Sequence, residues 1–331
     1  MKNDLQAQAD ALAPWRYSYE HEGVKIEGDP VAAPIHGHYG RGRETMEHIL
    51  ASLRAWGNPS EMRALDLGCL EGHYSELFCR AGFGEVVAVD LSPEQVTRAD
   101  FLLRKLMHFN NVTVLHGSVE DRDFMKGLGQ FDVILFHGLL YHLKDPIGIF
   151  ETLAMVSKPR NMLLLSTQFK FPFAEIIAPS PLANVKFRSM KLKAAGKDAL
   201  VKYEGTSSTY ATMAARLNPA ALNRLLRRLG FQSLIAYDTP LGSTYGFQVH
   251  LLASTESSPG LLDALNSRHD VPGLRFYDWN GDRLDGFSLR RGWRTFVSRV
   301  ALRVAYGICE RLGGSAMRQI RRADIASNSL R

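Results

Sequence analysis

The chain of 331 residues is 45% hydrophobic and 22% charged, enough for one large core or two smaller ones and unlike collagen-like or disordered sequences. Its three cysteines, Cys69, Cys79 and Cys309, are too few and too scattered for a disulfide framework or a zinc site. The formal charge of +6 sits in the tail: residues 275–331 hold twelve arginines, no lysine and five acids, leaving −1 on the first 274 residues. Met1–Pro14 is polar with no signal-peptide pattern, and no apolar run approaches the ~20 residues of a membrane span, so a cytoplasmic protein is expected.

From about Arg63 short apolar runs alternate with helix-period segments, the pattern of a parallel α/β sheet. Ala64–Leu67 reads as a first strand ending at Gly68, and residues 71–81 as a helix with Tyr74, Leu77 and Phe78 on one face. Val86–Asp90 is a second strand. Ser92 then caps a helix with Pro93 at its first position and Gln95 completing a capping box; its apolar stripe is Val96, Ala99, Leu102/Leu103 and Leu106. Val112–Leu115 and Phe131–Phe136 are the third and fourth strands, Asp145-Pro146 starts a helix to about Val156, and Met162–Ser166 is the fifth. Asn218-Pro219 begins a helix stopped by Gly230, and Phe231–Asp238 and Tyr245–Ala253 are the last two strands. Residues 168–217 interrupt the rhythm and would lie over the ligand crevice as a lid. Residues 254–274 read as a linker. The expected organisation is an N-terminal cap over 1–60, a domain over 61–255 with a seven-stranded doubly wound sheet, and a linker with a basic helical extension over 256–331.

The chemistry concentrates in Leu65-Asp66-Leu67-Gly68-Cys69-Leu70-Glu71-Gly72, followed by Asp90 at the next strand end. Glycines let the backbone turn tightly and approach a ligand, while an acid at the second strand end accepts ribose hydroxyls. A dinucleotide fingerprint would place G-x-G-x-x-G here for a pyrophosphate. This turn instead starts with an acid, which repels phosphate and suits a ligand with a cationic amino acid part, as in S-adenosyl-L-methionine.

On these residues the chain resembles the class I S-adenosylmethionine-dependent methyltransferases. Asp66–Gly72 is similar to their first motif, Val86–Asp90 to their second, His116–Glu120 to the adenine-side loop and Phe131–Gly138 to the fourth-strand motif. The resemblance implies a Rossmann-like fold, methyl transfer, and S-adenosylmethionine as donor. It implies donor contacts from Asp66, Gly68, Cys69, Glu71, Gly72, Asp90, Leu91, Ser118, Val119 and His137. The chain departs from the pattern at Leu70, where many members have glycine, and at Ser118, where an Asp often receives the adenine amino group.

Gly138–Pro146, with Pro14-Trp15-Arg16 and Gly23–Ile26, also resembles the bacterial tRNA wobble-uridine carboxymethyltransferases, which use a carboxylated donor. Tyr141 matches one of the residues that hold that extra carboxylate. The lysine position reads Tyr17 and the last strand, Gly246–His250, has no arginine, so the ordinary donor fits better. His142 is the candidate general base and Tyr141 lines the donor's methionine end. In His36-Gly37-His38-Tyr39-Gly40-Arg41, a third metal ligand is missing, so no metal is expected; Tyr39 and Arg41 are candidates for the donor carboxylate. In the tail, Trp293, Phe296, Val297, Val300, Val304 and Ile308 share a helical face, which either docks on the chain or a second copy, or lies on an anionic surface. The expected acceptor is a small molecule, a sugar or a lipid-linked metabolite, methylated at oxygen or nitrogen. The alternatives are tRNA uridine modification and a donor-binding subunit without activity.

Overall fold

A computed structural model describes residues 2–28, 33–143, 145–168, 186–190, 200–204, 214–216, 219–238, 248–257, 259–267, 271 and 274–279. The chain opens with α1 (Lys2–Ala11) and a hairpin of β1 (Tyr19–His21) and β2 (Val24–Ile26). Gln6 ties α1 to β2 by bonding both backbone groups of Lys25, and the Trp15 indole N–H donates to Ala9 O at 2.8 Å. Ala9, Trp15, Tyr17, Tyr19, Val24 and Ile26 pack with Phe101, Leu102 and Leu106 as a cluster of their own. α2 (Ala33–Ser52) follows.

The central sheet is built from β3 (Arg63–Leu67), β4 (Glu85–Asp90), β5 (Val112–His116), β6 (Phe131–His137) and β7 (Ser157–Gln168), all parallel to their neighbours in the order β5-β4-β3-β6-β7. Helices α3 (His73–Arg80), α4 (Pro93–Asp100), α5 (Arg122–Gly127) and α6 (Ile149–Met155) connect them. These strands are nearly continuous apolar runs because both faces are covered. Leu65, Leu67, Val87, Val89, Ile134 and Phe136 enter one core, and Ala64, Val86, Ala88, Val133 and Leu135 the other.

Outside the parallel part lies a small antiparallel sheet of β8 (Lys186–Met190), β9 (Leu200–Glu204) and β10 (Ala214–Arg216), formed within the expected lid. After α7 (Pro219–Arg228), β11 (Ser233–Asp238) and β12 (Gln248–Ser254) extend the main sheet antiparallel beyond β7. All seven expected strands form, the last of them from Gln248; its expected start over residues 245–247 lies outside the described residues.

Two expectations change. Residues 254–274 are not a linker: α8 (Pro259–Ser267) occupies them, with Leu261 and Leu265 one turn apart in the core, and β13 (Arg275–Asp278) adds an eighth strand against β11. The capping box is half formed: Ser92 Oγ accepts from the Gln95 N–H at 3.3 Å, but its hydroxyl donates to Glu94 at 2.6 Å and Gln95 Oε1 takes no partner among the described residues. The α4 stripe continues through a π-helical turn over Phe101–Leu106, which brings Leu102, Leu103 and Leu106 all to full burial. Among the described residues no helix is long and apolar enough to cross a membrane. The basic tail beyond Trp279, and with it the Trp293–Ile308 face, lies outside the described residues.

Candidate functional site

The strand order reverses direction between β3 and β6, and the carboxyl ends of open α/β sheets gather ligands at such a switch point. The turn after β3 is held down by β4: the N–H groups of Gly68 and Cys69 both donate to Val89 O, at 2.8 and 3.0 Å. Gly68 (φ +74) leaves room for Leu139 of the loop after β6, which a Cβ would meet at 3.3 Å. Gly72 (φ +87) is required for packing between helices, since a Cβ there would stand 2.9 Å from Leu103.

Two buried carboxylates frame this turn. Asp66 accepts the Ser75 hydroxyl at 2.6 Å, and its pKa is raised to about 7, by burial first, against the Ser75 bond and with the nearby Asp90 charge adding. Asp90 accepts the N–H of Leu70 and of Ser92, each at 2.9 Å, and burial raises its pKa despite these bonds. The adjacent Leu91 is the exposed large apolar side chain among the described residues, at 50%.

Glu71, an expected donor contact, is bonded within the chain. Its carboxylate accepts the Arg16 N–H at 3.0 Å and the Tyr17 N–H at 2.6 Å, so it ties the N-terminal segment to the glycine turn. Burial raises its pKa and those two bonds oppose the rise. The Tyr17 ring is buried and stacked on His73 with centroids 4.3 Å apart. Burial, with the Asp66 and Asp90 charges adding, pushes the Cys69 thiol well above its ordinary pKa, and its S–H donates to Leu70 O at 3.5 Å.

The other expected residues divide. Ser118 Oγ accepts the Glu120 N–H at 3.2 Å, and the Val119 side chain packs at the edge of the core cluster. His142 is half-buried in a short turn, Leu140–His142, whose first residue is in the core. The side chains of Tyr141, Tyr39 and Arg41 lie outside the described residues. The arginine of α2 that is described, Arg43, pairs with Glu76 of α3 at 2.6 Å. Burial raises the Glu76 carboxyl, but Arg43 and Arg80 outweigh it and hold its pKa below the usual range. No three His, Cys, Asp or Glu side chains gather as a metal site among the described residues.

The sequence gives little sign of an aromatic row on the same edge. His137 of β6 and His250 of β12 both align with Ser166 of β7; His250 aligns with Tyr237 of β11, and Tyr237 with Phe276 of β13. Their rings stand 5.8 Å apart for His137 and His250, 5.1 Å for His250 and Tyr237, and 5.4 Å for Tyr237 and Phe276. Tyr74 of α3 closes the row 5.0 Å from His137. A separate cleft lined by Gln130, Lys158, Asn161 and Phe231 opens at the opposite edge, where β6 and β7 begin.

Comparison with known proteins agrees with this frame. The family described as Methyltransferase domain matches residues 38–235, more than half of the chain. A ubiquinone biosynthesis O-methyltransferase of Xanthomonas campestris pv. campestris is 37% identical over 116 residues, 35% of this chain and 47% of the relative. A tRNA U34 carboxymethyltransferase of Cellvibrio japonicus is 25% identical over 167 residues, 50% of this chain and 47% of the relative. The chain thus spans about half the length of the curated relatives it matches. The crystal structure of the N-terminal domain of EvdMO1 with SAH bound shares the fold, with a TM-score of 0.54 and 24% identity over 77% of this chain and 95% of that one. The chain therefore belongs to the methyltransferase-domain family, with an S-adenosylmethionine-dependent methyltransferase domain of the class I α/β fold.

Proposed function

We propose that the chain methylates an oxygen or nitrogen atom of a small-molecule acceptor. The observation that carries this reading is the pair of buried carboxylates, Asp66 and Asp90, with raised pKa values around a glycine turn at the switch point. A ligand with a cationic amino acid part and ribose hydroxyls relieves both, and an anionic phosphate would aggravate them. When bound, S-adenosylmethionine supplies a methyl group on a positively charged sulfur.

The chain's own groups then have distinct tasks. Asp90 accepts the ribose hydroxyls while keeping the turn's Leu70 N–H, and Leu91 offers its exposed apolar surface to the flat base. Asp66 lies under the turn, where a ligand cation favours its ionised form. Glu71 and Tyr17 hold the N-terminal segment against the turn, which keeps water from it. Orientation of an acceptor in line with the transferred group supplies most of the rate, and a base is needed where the acceptor is a hydroxyl.

Support for a small acceptor comes from the ubiquinone biosynthesis O-methyltransferases among the relatives. The tRNA reading is weaker because Tyr17 supplies no cation for an extra donor carboxylate. The test is calorimetric titration with SAH, followed by transfer of labelled methyl to a panel of small hydroxyl and amine acceptors and to tRNA. Saturable SAH binding is expected, weakened about 10- to 100-fold in Asp90→Asn as one charge-assisted contact is lost. Absence of SAH binding, or label entering only tRNA, refutes the reading.

A further inference from the structure

We propose that His137 takes the proton from the methyl acceptor and that His250 is the positioning residue that holds it, an inference that rests on the donor reading above. The carboxylates assigned to the donor, Asp66 and Asp90, lie on β3 and β4, on one side of the switch point. The acceptor's half is then β6, β7 and β12. β3 and β6 run parallel with Asp66 level with Leu135, so His137 stands on the same sheet face one alternation nearer the carboxyl edge.

In that half the edge row presents His137, Ser166 and His250. Ser166 is small and fully buried, which lets the two imidazoles face each other across it, 5.8 Å apart and inclined by 28°. The far side of His137 meets the Tyr74 ring at 5.0 Å. Tyr74 is itself braced against α2, where a Cβ on Gly42 would be 3.0 Å from its hydroxyl. Behind His250, Tyr237 and Phe276 continue the stack into the core, and all three are less than a tenth exposed. His137 is the half-buried member of this stack, held between Tyr74 and His250 and next to the donor half. His142 lies further along, on the turn after Gly138, and has no place in the row.

An imidazole changes charge near neutral pH, which suits a base acting on a hydroxyl. Among the described residues, the titratable groups on this face near His137 are Tyr74 from α3, His250 from β12 and, deeper, Asp66 from β3. A second imidazole so close disfavours charging both rings at once. In the step, the acceptor O–H proton passes to a ring nitrogen of His137. The electron pair left on oxygen forms the bond to the methyl carbon as the carbon–sulfur bond breaks and its pair stays on sulfur. The products are the methylated acceptor, SAH and an imidazolium that returns its proton to water.

The test needs no acceptor. The His137 ring C–H resonance of the full chain is titrated by NMR with saturating SAH and with saturating S-adenosylmethionine, which differ by the sulfonium charge. If His137 borders the reacting centre, its pKa falls by about 0.5 to 2 units with S-adenosylmethionine, as a unit charge ~6 Å away requires at effective dielectrics between water and protein. The exposed His108, which faces Glu22 of the N-terminal hairpin, is expected to stay fixed. His250→Phe keeps a ring in the stack and removes the second imidazole; it is expected to raise the His137 pKa. Resonances are assigned with His137→Gln or, if that chain does not fold, by through-bond correlation in the unaltered protein. With SAH bound, an equal His137 pKa in both complexes overturns the role of His137, and no change in His250→Phe overturns that of His250. Failure to bind SAH at all overturns the donor reading instead.

Discussion

Asp66→Asn isolates the energetic weight of one buried carboxyl beneath the glycine turn. Its pKa of about 7 in the folded chain compares with roughly 3.9 for an aspartate in an unfolded one. The folded state therefore holds this proton more tightly than the unfolded state does. The stability this confers is complete below about pH 4 and is lost as pH rises to about 7. About three pKa units at 1.36 kcal/mol each set an upper figure of about 4 kcal/mol for the loss. Asn has nearly the same volume, still accepts the Ser75 hydroxyl through Oδ1, and does not titrate. Urea unfolding of both proteins at intervals from pH 4.5 to pH 8 is expected to give converging, then crossing, stabilities, with the Asn variant the more stable at pH 8. Asp90 and Glu71, whose pKa values are also raised, contribute to both proteins and largely cancel in the difference. The same variant is expected to bind SAH more weakly at pH 8. Parallel stability curves would refute the reasoning, since they would mean that Asp66 titrates alike in both states.

Glu71→Gln replaces an acceptor-only carboxylate by an amide that can serve only one of the Arg16 and Tyr17 N–H groups well. A loss of about 1–3 kcal/mol is expected, with faster protease cleavage within the first 28 residues as the readout. Gly72→Ala forces an L side chain to φ +87 and a Cβ to 2.9 Å from Leu103. It is expected to cost about 2–3 kcal/mol in thermal unfolding, of which Leu103→Ala in the same chain recovers only the steric part. Arg43→Leu leaves the buried Glu76 with Arg80 alone and is expected to lose about 2–4 kcal/mol at pH 7. Because Glu76 has a lowered pKa, that deficit shrinks as pH falls through the carboxylate range, which urea midpoints at pH 4.5 and pH 7 will show.

The parallel strands and the first turn were readable because each is a local pattern: an apolar run, a glycine with positive φ, an acid at the strand end. Ser92 announced the start of α4 for the same reason. What escaped is long-range. Glu71 and Tyr17 are 54 positions apart, and nothing in either neighbourhood announces the bond between them. The His137 to Phe276 row depends on the register of five strands, one of them unforeseen. α8 was hidden by a proline and a glycine that read as a turn, although proline equally suits the first position of a helix.

Leu70 carries a consequence for how this family member differs from its kin. It adopts φ +51, a left-handed conformation that costs a branched side chain about 1 kcal/mol and a glycine nothing. Yet its side chain packs against the cluster formed by the N-terminal cap, and its N–H is fixed by Asp90. The left-handed Leu70 and the cap are then energetically linked. A chain shortened to begin after Ile26 would keep the strain and lose its compensation, whereas Leu70→Gly would relax the turn and leave the cap without one of its apolar anchors. Exchange of the first 28 residues between relatives should therefore succeed only when position 70 travels with them.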